Sequence, residues 1–319
     1  MLEKITGFIP AGGRGERLQP LTSAYPKPAL LMGMGDKRLI DYSLQVIPRE
    51  SNVVISIGYF GEILADHLLK KSHEQDIKIL WDRNMNDIGG SMAQHINEIG
   101  ELFSNYVLVL PADHILEGLD VDKMLQEHLS KNVGMTVLVT EPRKYGDYLS
   151  IDQGNIVQSF NKASYPNMRS YSSTGIYLFT TSYLLDSIRQ KLRQGWQGEE
   201  YDLTTEIVFP SIQSSKVAAH VLNKSCYWDD TGILKRYYQN NLRLSAGDNI
   251  ISPLAFIEEG VELDQVVVLD HAKLHSGVKL RRTIVAPDSE IHKESVGDDK
   301  RLIVLYNKVD KKYVEMEEN

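Results

Sequence analysis

From residue 5 to residue 141 the chain alternates short apolar runs with amphipathic stretches, and this alternation limits the possible fold more than any other feature. The runs ITGFI (5–9), NVVISIGY (52–59), DIKILWD (76–82), YVLVLPAD (106–113) and GMTVLVTE (134–141) are rich in β-branched residues and read as strands. Between them LIDYSLQVI (39–47), EILADHLLKK (62–71), SMAQHINEIGELF (91–103) and DKMLQEHLS (122–130) carry apolar residues at helical spacing. Strands that are apolar throughout, separated by helices, must be covered on both faces, which predicts a mostly parallel sheet. From about residue 147 the pattern changes. YLSID, NIVQSF and STGIYLF follow one another without long helices, which predicts an antiparallel insertion beside the main sheet. A helix over 182–195 stops at a glycine, VAAHVL (217–222) and YWDD (227–230) read as a late strand pair, and ILKRYYQNNLRL (233–244) reads as a helix.

SAGDNIISP (245–253) is a turn-rich boundary, and an internal repeat lies beyond it. IEEGVELDQVVVLDHAK (257–273) aligns without gaps on LHSGVKLRRTIVAPDSE (274–290), so that Gly260 falls on Gly277 and Leu263 on Leu280. Apolar residues recurring in register across such a repeat predict stacked coils of a β-solenoid. The expected fold class is therefore α/β: a Rossmann-like, mostly parallel sheet with helices on both faces, plus a small C-terminal β-solenoid stub. The expected domains are 1–245 and 246–319. With two clear copies, the stub must lean on the first domain or on another chain. Val267, Val268, Ile284 and Val285 are the contact surface expected for a homo-oligomer.

Composition narrows the function. A formal net charge of −8 argues against a general nucleic-acid binder, yet a few local cations can still make an anion pocket. The single cysteine, Cys226, allows no internal disulfide, and no apolar run is long enough for a signal peptide or a membrane span. A cytoplasmic protein without membrane contact is expected.

The first strand runs into IPAGGRGERLQPLT (9–22), with three glycines and two arginines within residues 12–17. Glycines at a strand end let backbone N–H groups close on an anion, and arginine matches phosphate oxygens. Gly12, Gly13 and Gly15 with Arg14 and Arg17 thus read as a polyphosphate loop at the carboxyl end of strand one. It is not a dinucleotide fingerprint, which needs glycine where Leu18 stands, nor a Walker loop, since no G-K-[ST] follows. Lys27, stiffened between Pro26 and Pro28, reads as a phosphate clamp or as an ordinary solvated lysine.

AGGRGERLQPLTSAYPKPAL closely resembles the signature of the sugar-1-phosphate nucleotidyltransferases, G-G-x-G-[ST]-R-L-x-P-L-T followed by P-K-P, and departs from it only at Glu16. Further pieces resemble the family in order: NDIGGSMAQ (86–94), LPADH (110–114), FNKA (160–163), STGIYLF (173–179) and YWDDTG (227–232). A short left-handed β-helix-like tail is common in the family. The resemblance implies that a sugar-1-phosphate oxygen attacks the α-phosphorus of an NTP and pyrophosphate leaves. Its partners would be an NTP and a hexose-1-phosphate of glucose or mannose type.

By the same resemblance Asp113 and Asp230 would hold Mg²⁺, which takes one or two carboxylates plus substrate phosphates. Asp229 is a rival to Asp230 by one residue of register. Taken alone, Asp113 reads better as a strand-end turn residue and Asp230 as a helix N-cap, and the two motif matches in one chain turn the reading to metal. Arg17 would stabilise the transferring phosphoryl group, with Lys27 on a phosphate. Asn84, Gly89 and Gly90 would lie near the base. Lys162 would hold the sugar phosphate, with Asn161 and Gly175 on the sugar side. Asn161 stands where the family has glutamate, and Ser173 where it has asparagine. PADH resembles the mannose, GTP-using version of the motif, although His114 also reads as a packing residue. The competing reading is a catalytically idle homologue that binds nucleotide sugar and regulates a partner.

Overall fold

The computed structural model describes residues 4–71, 75–82, 87–143, 147–160, 169–195, 202–214, 217–292, 295–298, 300–306 and 310–315. Strands β1 (Ile5–Ala11), β2 (Asn52–Ile57), β3 (Ile77–Trp81), β4 (Tyr106–Val109), β5 (His114–Glu117), β6 (Met135–Thr140), β7 (Tyr148–Ile151), β8 (Val157–Phe160), β9 (Arg169–Thr180), β10 (Val217–Val221) and β11 (Tyr227–Asp230) come first. They alternate with helices α1 (Leu39–Val46), α2 (Gly61–Lys71), α3 (Ile88–Gln94), α4 (Ile96–Leu102), α5 (Val121–Lys131), α6 (Thr181–Arg193), α7 (Phe209–Ser214) and α8 (Leu234–Leu244). The tail follows as β12 (Ile250–Ile251), β13 (Phe256–Ile257), β14 (Glu262–Asp264), β15 (Val267–Val268), β16 (Lys273–Leu274), β17 (Lys279–Arg281), β18 (Thr283–Val285), β19 (Glu290–Ile291), β20 (Ser295–Val296), β21 (Arg301–Tyr306) and β22 (Asp310–Glu315).

The chain divides into two compact units. The first holds Met1–Gly13, Ser43–Ala112 and Leu116–Trp228; the second holds Arg14–Tyr42, Asp113–Ile115 and Asp229–Asn319.

The first unit is built on a nine-stranded sheet among the described residues, with central order β10-β6-β9-β4-β1-β2-β3. β1 is parallel to both β2 and β4, so the chain reverses its direction of travel across the sheet at β1. Phe8, Val54, Val107, Val137, Tyr177 and Phe179 pack in the core against Leu184 and Ile188 of α6, which explains why these strands are apolar throughout. Helix ends follow local chemistry. Asp120 caps α5 by accepting from the Lys123 backbone N–H at 2.9 Å, and α6 stops before Gly195 at φ 92°.

Four expectations are corrected here. β9 is not beside the sheet but inside it, antiparallel between β4 and β6. Its buried IYLF end fills the slot between β4 and β6, while its more polar start pairs with β7. β10 pairs in parallel with β6 and β11 with β5, so the late strand pair does not form. The helix over 91–103 is two helices broken at His95. The strand in YVLVLPAD ends at Val109, which leaves Asp113 on a turn before β5.

In the second unit the tail forms three parallel ladders. The first runs β12-β15-β18-β21, the second β13-β16-β19 and the third β14-β17-β20. Ile257 pairs with Leu274 and Leu274 with Ile291, and Val267 pairs with Ile284, so the 17-residue offset of the sequence repeat is the offset of the ladders. This is a three-faced parallel β-solenoid, closed by β22 running antiparallel to β21. Its corners also repeat. Gly260 and Gly277, Gln265 and Arg282, and His271 and Asp288 all have φ between 50° and 85°. Val267, Val268, Ile284 and Val285 are fully buried within the chain, so the expected contact surface is interior. Among the described residues the large apolar side chains exposed on this tail are Ile251, Leu254 and Phe256. α8 turns Leu234, Tyr237, Tyr238 and Asn241 inward at helical spacing. The Tyr237 hydroxyl donates to Leu31 O, and Asn241 Oδ1 accepts from Gly33 N–H at 2.9 Å.

Candidate functional site

In the first unit the carboxyl ends of β1, β2 and β3 converge. The Tyr59 N–H donates to Gly12 O at 3.0 Å and the Asp82 N–H to Ile57 O at 2.8 Å. A Cβ on Gly58 would stand 2.8 Å from Gly12 O and 2.9 Å from Asp82 O, both backbone, so only glycine fits. Gly12 is buried there and Gly13 is exposed, with open space where a side chain would be. This is the switch point of the sheet, where β1 has β2 on one side and β4 on the other, and open α/β sheets bind ligands there. Gly89 and Gly90 are buried in the first turn of α3, with Ser91 Oγ 2.5 Å from Ser56 Oγ. Gly175 has φ 72° beside an irregularity in the β6–β9 register, and its N–H donates to Ser173 Oγ at 3.2 Å. Asn84, Asn161 and Lys162 lie outside the described residues.

The second unit gathers the charges. Gly15 takes φ 64°, and a Cβ on it would sit 3.0 Å from the Lys27 Cβ, so the loop needs glycine for both backbone and space. Its carbonyl accepts from Thr22 Oγ1 at 2.9 Å and from Leu18 N–H at 2.9 Å, which accounts for the threonine of QPLT. Leu18 is fully buried, and Arg14 and Arg17 are exposed. Lys27 opens a short 3₁₀ turn between its prolines and is 7% exposed, so it is not a solvated surface lysine. Its ammonium is paired with Asp113 Oδ2.

Asp113 and Asp230 come together through Thr231. The Thr231 N–H and hydroxyl both donate to Asp113 O, at 3.0 and 2.8 Å. Asp230 Oδ2 pairs with Arg236 of α8, and Oδ1 accepts from Gly232 N–H at 3.1 Å. A Cβ on Gly232 would stand 2.9 Å from Asp230 Oδ1 and 3.3 Å from Arg17 Nη2, so the Asp230 carboxylate and the Arg17 guanidinium both lie against this glycine. Asp229 is held elsewhere, accepting from Asn240 Nδ2 at 2.8 Å. Asp230 is therefore the carboxylate that shares Gly232 with Arg17, and it caps no helix, since Ile233 stands at the N-cap of α8. Arg236 is a residue the sequence does not mark, since it lies two residues into α8 with no motif of its own, whereas Gly232 closes the YWDDTG motif.

The electrostatics keep both carboxylates charged. Burial pushes the Asp113 carboxyl up, but the ammonium of Lys27, then His114 and Arg17, overcome this and hold it down to about 2. Asp230 is likewise pushed up by burial and lowered overall, chiefly by Arg236 and the Gly232 N–H. His114 lies with Nε2 3.6 Å from Asp113 Oδ1. Its pKa is lowered by burial against the pull of Asp113 and Asp230, which favours the neutral ring. Two ionised carboxylates beside Lys27, Arg17 and Arg236 are a donor set that fits a hard divalent cation, with guanidinium and ammonium groups at hand for phosphate oxygens.

A family model described as "Nucleotidyl transferase" matches residues 6–247. The chain belongs to the nucleotidyl transferase family. The match spans the sheet, the glycine loop and α8, and ends before the first solenoid strand. Glucose-1-phosphate adenylyltransferase of Rhodopseudomonas palustris (strain HaA2) is 27% identical over 277 residues, covering 75% of this chain and 64% of the relative. The protein of the same name from Histophilus somni (strain 2336) is 28% identical over 276 residues, covering 74% and 62%. That from Francisella tularensis subsp. novicida (strain U112) is 27% identical over 285 residues, covering 77% and 66%. This nucleotidyl transferase chain thus spans less than two thirds of the length of the curated relatives it matches. Among its described residues no helix is long and apolar enough to cross a membrane.

Proposed function

We propose that this chain is a sugar-1-phosphate nucleotidyltransferase. An oxygen of the hexose-1-phosphate attacks the α-phosphorus of an NTP, a new O–P bond forms as the α–β bridge breaks, and the electron pair leaves with pyrophosphate. The observation that carries the reading is the convergence of Arg17, Lys27, Asp113 and Asp230 in one compact unit. Proton transfer is a small part of such chemistry. Two anions must be aligned and the charge on the leaving group neutralised. In this reading Arg17 lies along the transferring phosphoryl group, Lys27 takes a phosphate oxygen, and the backbone of Gly12, Gly13 and Gly15 with Arg14 cradles the rest.

Asp113 and Asp230 would hold Mg²⁺, which supplies charge neutralisation at the reacting phosphates when bound. The same carboxylates are already neutralised by Lys27 and Arg236. The cluster therefore presents no large excess of negative charge to an incoming triphosphate. Gly89 and Gly90 with Asn84 would face the base, and Asn161, Lys162 and Gly175 the sugar phosphate. We assign the transfer domain to 1–245 and the solenoid domain to 246–319. The names of the relatives make ATP with glucose-1-phosphate the first pair to test, and PADH keeps GTP with mannose-1-phosphate beside it. The test is pyrophosphate release across a grid of NTPs and sugar-1-phosphates, with Mg²⁺ and with chelator. Metal-dependent release in one cell is the expected result. Silence across the grid, with nucleotide still raising the melting temperature, would favour the idle, nucleotide-sugar-binding homologue.

A further inference from the structure

The solenoid carries a second cluster of ligating side chains that the transfer reaction does not use. The 17-residue coil places Glu258, His275 and His292 at equivalent positions on three successive turns. The backbone ladder holds them in line, since Glu258 N–H donates to Leu274 O at 2.9 Å and His275 N–H to Ile291 O at 3.0 Å. The two imidazoles are stacked, with centroids 4.1 Å apart and planes 4° from parallel. Glu290 comes from the same turn as His292. One of its carboxylate oxygens, Oε1, lies 3.0 Å from His275 Nε2 and 3.6 Å from His292 Nε2.

We propose that His275, Glu290 and His292 form a binding site for a divalent transition metal of the zinc class, clipping two adjacent coils of the solenoid together. Three arguments support it. Ligand atoms from the three side chains all lie within 4.8 Å of one another. Tetrahedral ligands at about 2.1 Å from an ion are about 3.4 Å apart, and the two separations of Glu290 Oε1 from the histidines, 3.0 and 3.6 Å, bracket that value, so that metal binding needs only the exposed His292 ring to turn out of its stack and aim its nitrogen at the ion. The donors are two imidazole nitrogens and one carboxylate oxygen, a set that suits zinc, cobalt or nickel better than magnesium or calcium. The orientation of His275 is also fixed from behind. Its Nδ1 bonds Glu258 Oε1 at 2.9 Å, and Glu258 Oε2 accepts from Ser276 N–H at 2.8 Å. A carboxylate on the far nitrogen of a histidine sets its tautomer and turns the other nitrogen toward the ion. Glu258 is therefore a positioning residue, and solvent completes the coordination, because His292 is 57% exposed.

The experiment uses untagged full-length protein, stripped of metal and free of nucleotide. Zn²⁺ is titrated by calorimetry, and Co²⁺ is followed by its visible absorption. A single-site isotherm is expected, with a cobalt spectrum of low-coordinate nitrogen and oxygen ligation and a melting temperature that rises with metal. His292→Ala and Glu290→Gln should abolish the cobalt spectrum. Glu258→Gln should weaken binding about 10–100-fold without removing it. Because His292 is mostly exposed, its variant should keep the wild-type circular dichroism. Asp113→Asn with Asp230→Asn should retain the site. Absence of the cobalt spectrum, or its persistence in His292→Ala and Glu290→Gln, overturns the proposal. Loss of the spectrum in the Asp113→Asn, Asp230→Asn protein instead would assign the ion to the other carboxylates and overturn it equally.

Discussion

Replacing Lys27 by methionine gives a sharp test of how the charged cluster is held together. In the folded chain Asp113 titrates at about 2 rather than 3.8, because Lys27, His114 and Arg17 outweigh the cost of burying it. A depressed carboxyl contributes stability that is fully present above its unfolded pKa and is lost as pH falls toward its folded one. At about 1.4 kcal/mol per pKa unit, the depression corresponds to on the order of 2 kcal/mol at neutral pH, fading between about pH 4 and pH 2. Methionine keeps the length and apolar stem of Lys27 but removes its charge. Burial, the largest single influence on Asp113, then acts with less opposition and the carboxyl moves upward. The variant should therefore be less stable than wild type by about 2–3 kcal/mol at pH 7. The gap should narrow steadily as pH falls from about 5 toward 2. Adding Asp113→Asn to Lys27→Met removes the stranded charge and should recover part of the loss. Urea unfolding followed by circular dichroism across that pH range measures all three proteins. A gap that stays constant with pH, or a double variant no more stable than the single one, would show that the pair does not set the Asp113 titration and would refute the reasoning.

Other outcomes follow from the same geometry. Gly15→Ala forces a side chain into the left-handed region against Lys27, and should cost about 1–2 kcal/mol in thermal unfolding while lowering the rate of pyrophosphate release. Asp270→Ala removes a carboxylate 2% exposed that is bonded to Tyr25, Arg38 and Ser252. Arg38 then keeps only the mostly exposed Asp36 as its carboxylate partner, which should lower stability by about 3 kcal/mol, and activity should fall although Asp270 lies far along the chain from Arg17. Asp230→Asn should abolish Mg²⁺-dependent release yet leave nucleotide binding measurable by calorimetry, since Arg17 and Lys27 stay in place.

The arrangement around Asp270 shows why only part of this protein was legible in its sequence. The sheet was legible because an apolar run buried on both faces has few alternatives. β9 was misplaced because antiparallel strands need no crossover helix, so the lack of helices around STGIYLF did not say whether it lay inside or beside the sheet. The solenoid register was legible because Gly260 and Gly277 mark one corner of each coil. The other two corners, at Gln265 and Arg282 and at His271 and Asp288, take the same backbone conformation without glycine and gave no signal. In the site, Arg17, Lys27, Asp113 and Asp230 stood in short contiguous motifs, whereas Arg236 is an ordinary helical arginine until its distance to Asp230 is known. What no motif conveys is that Arg14–Tyr42, which carries Arg17 and Lys27, packs in one compact unit with the solenoid. Tyr25 and Arg38 reach from that segment to Asp270, and Tyr238 of α8 donates to Gln265 O at 2.9 Å. The two bonds to Asp270 join residues more than 200 positions apart. They imply that the solenoid braces the segment holding Arg17 and Lys27, so cutting the chain after residue 245 should leave Arg38 buried without Asp270 and loosen that segment.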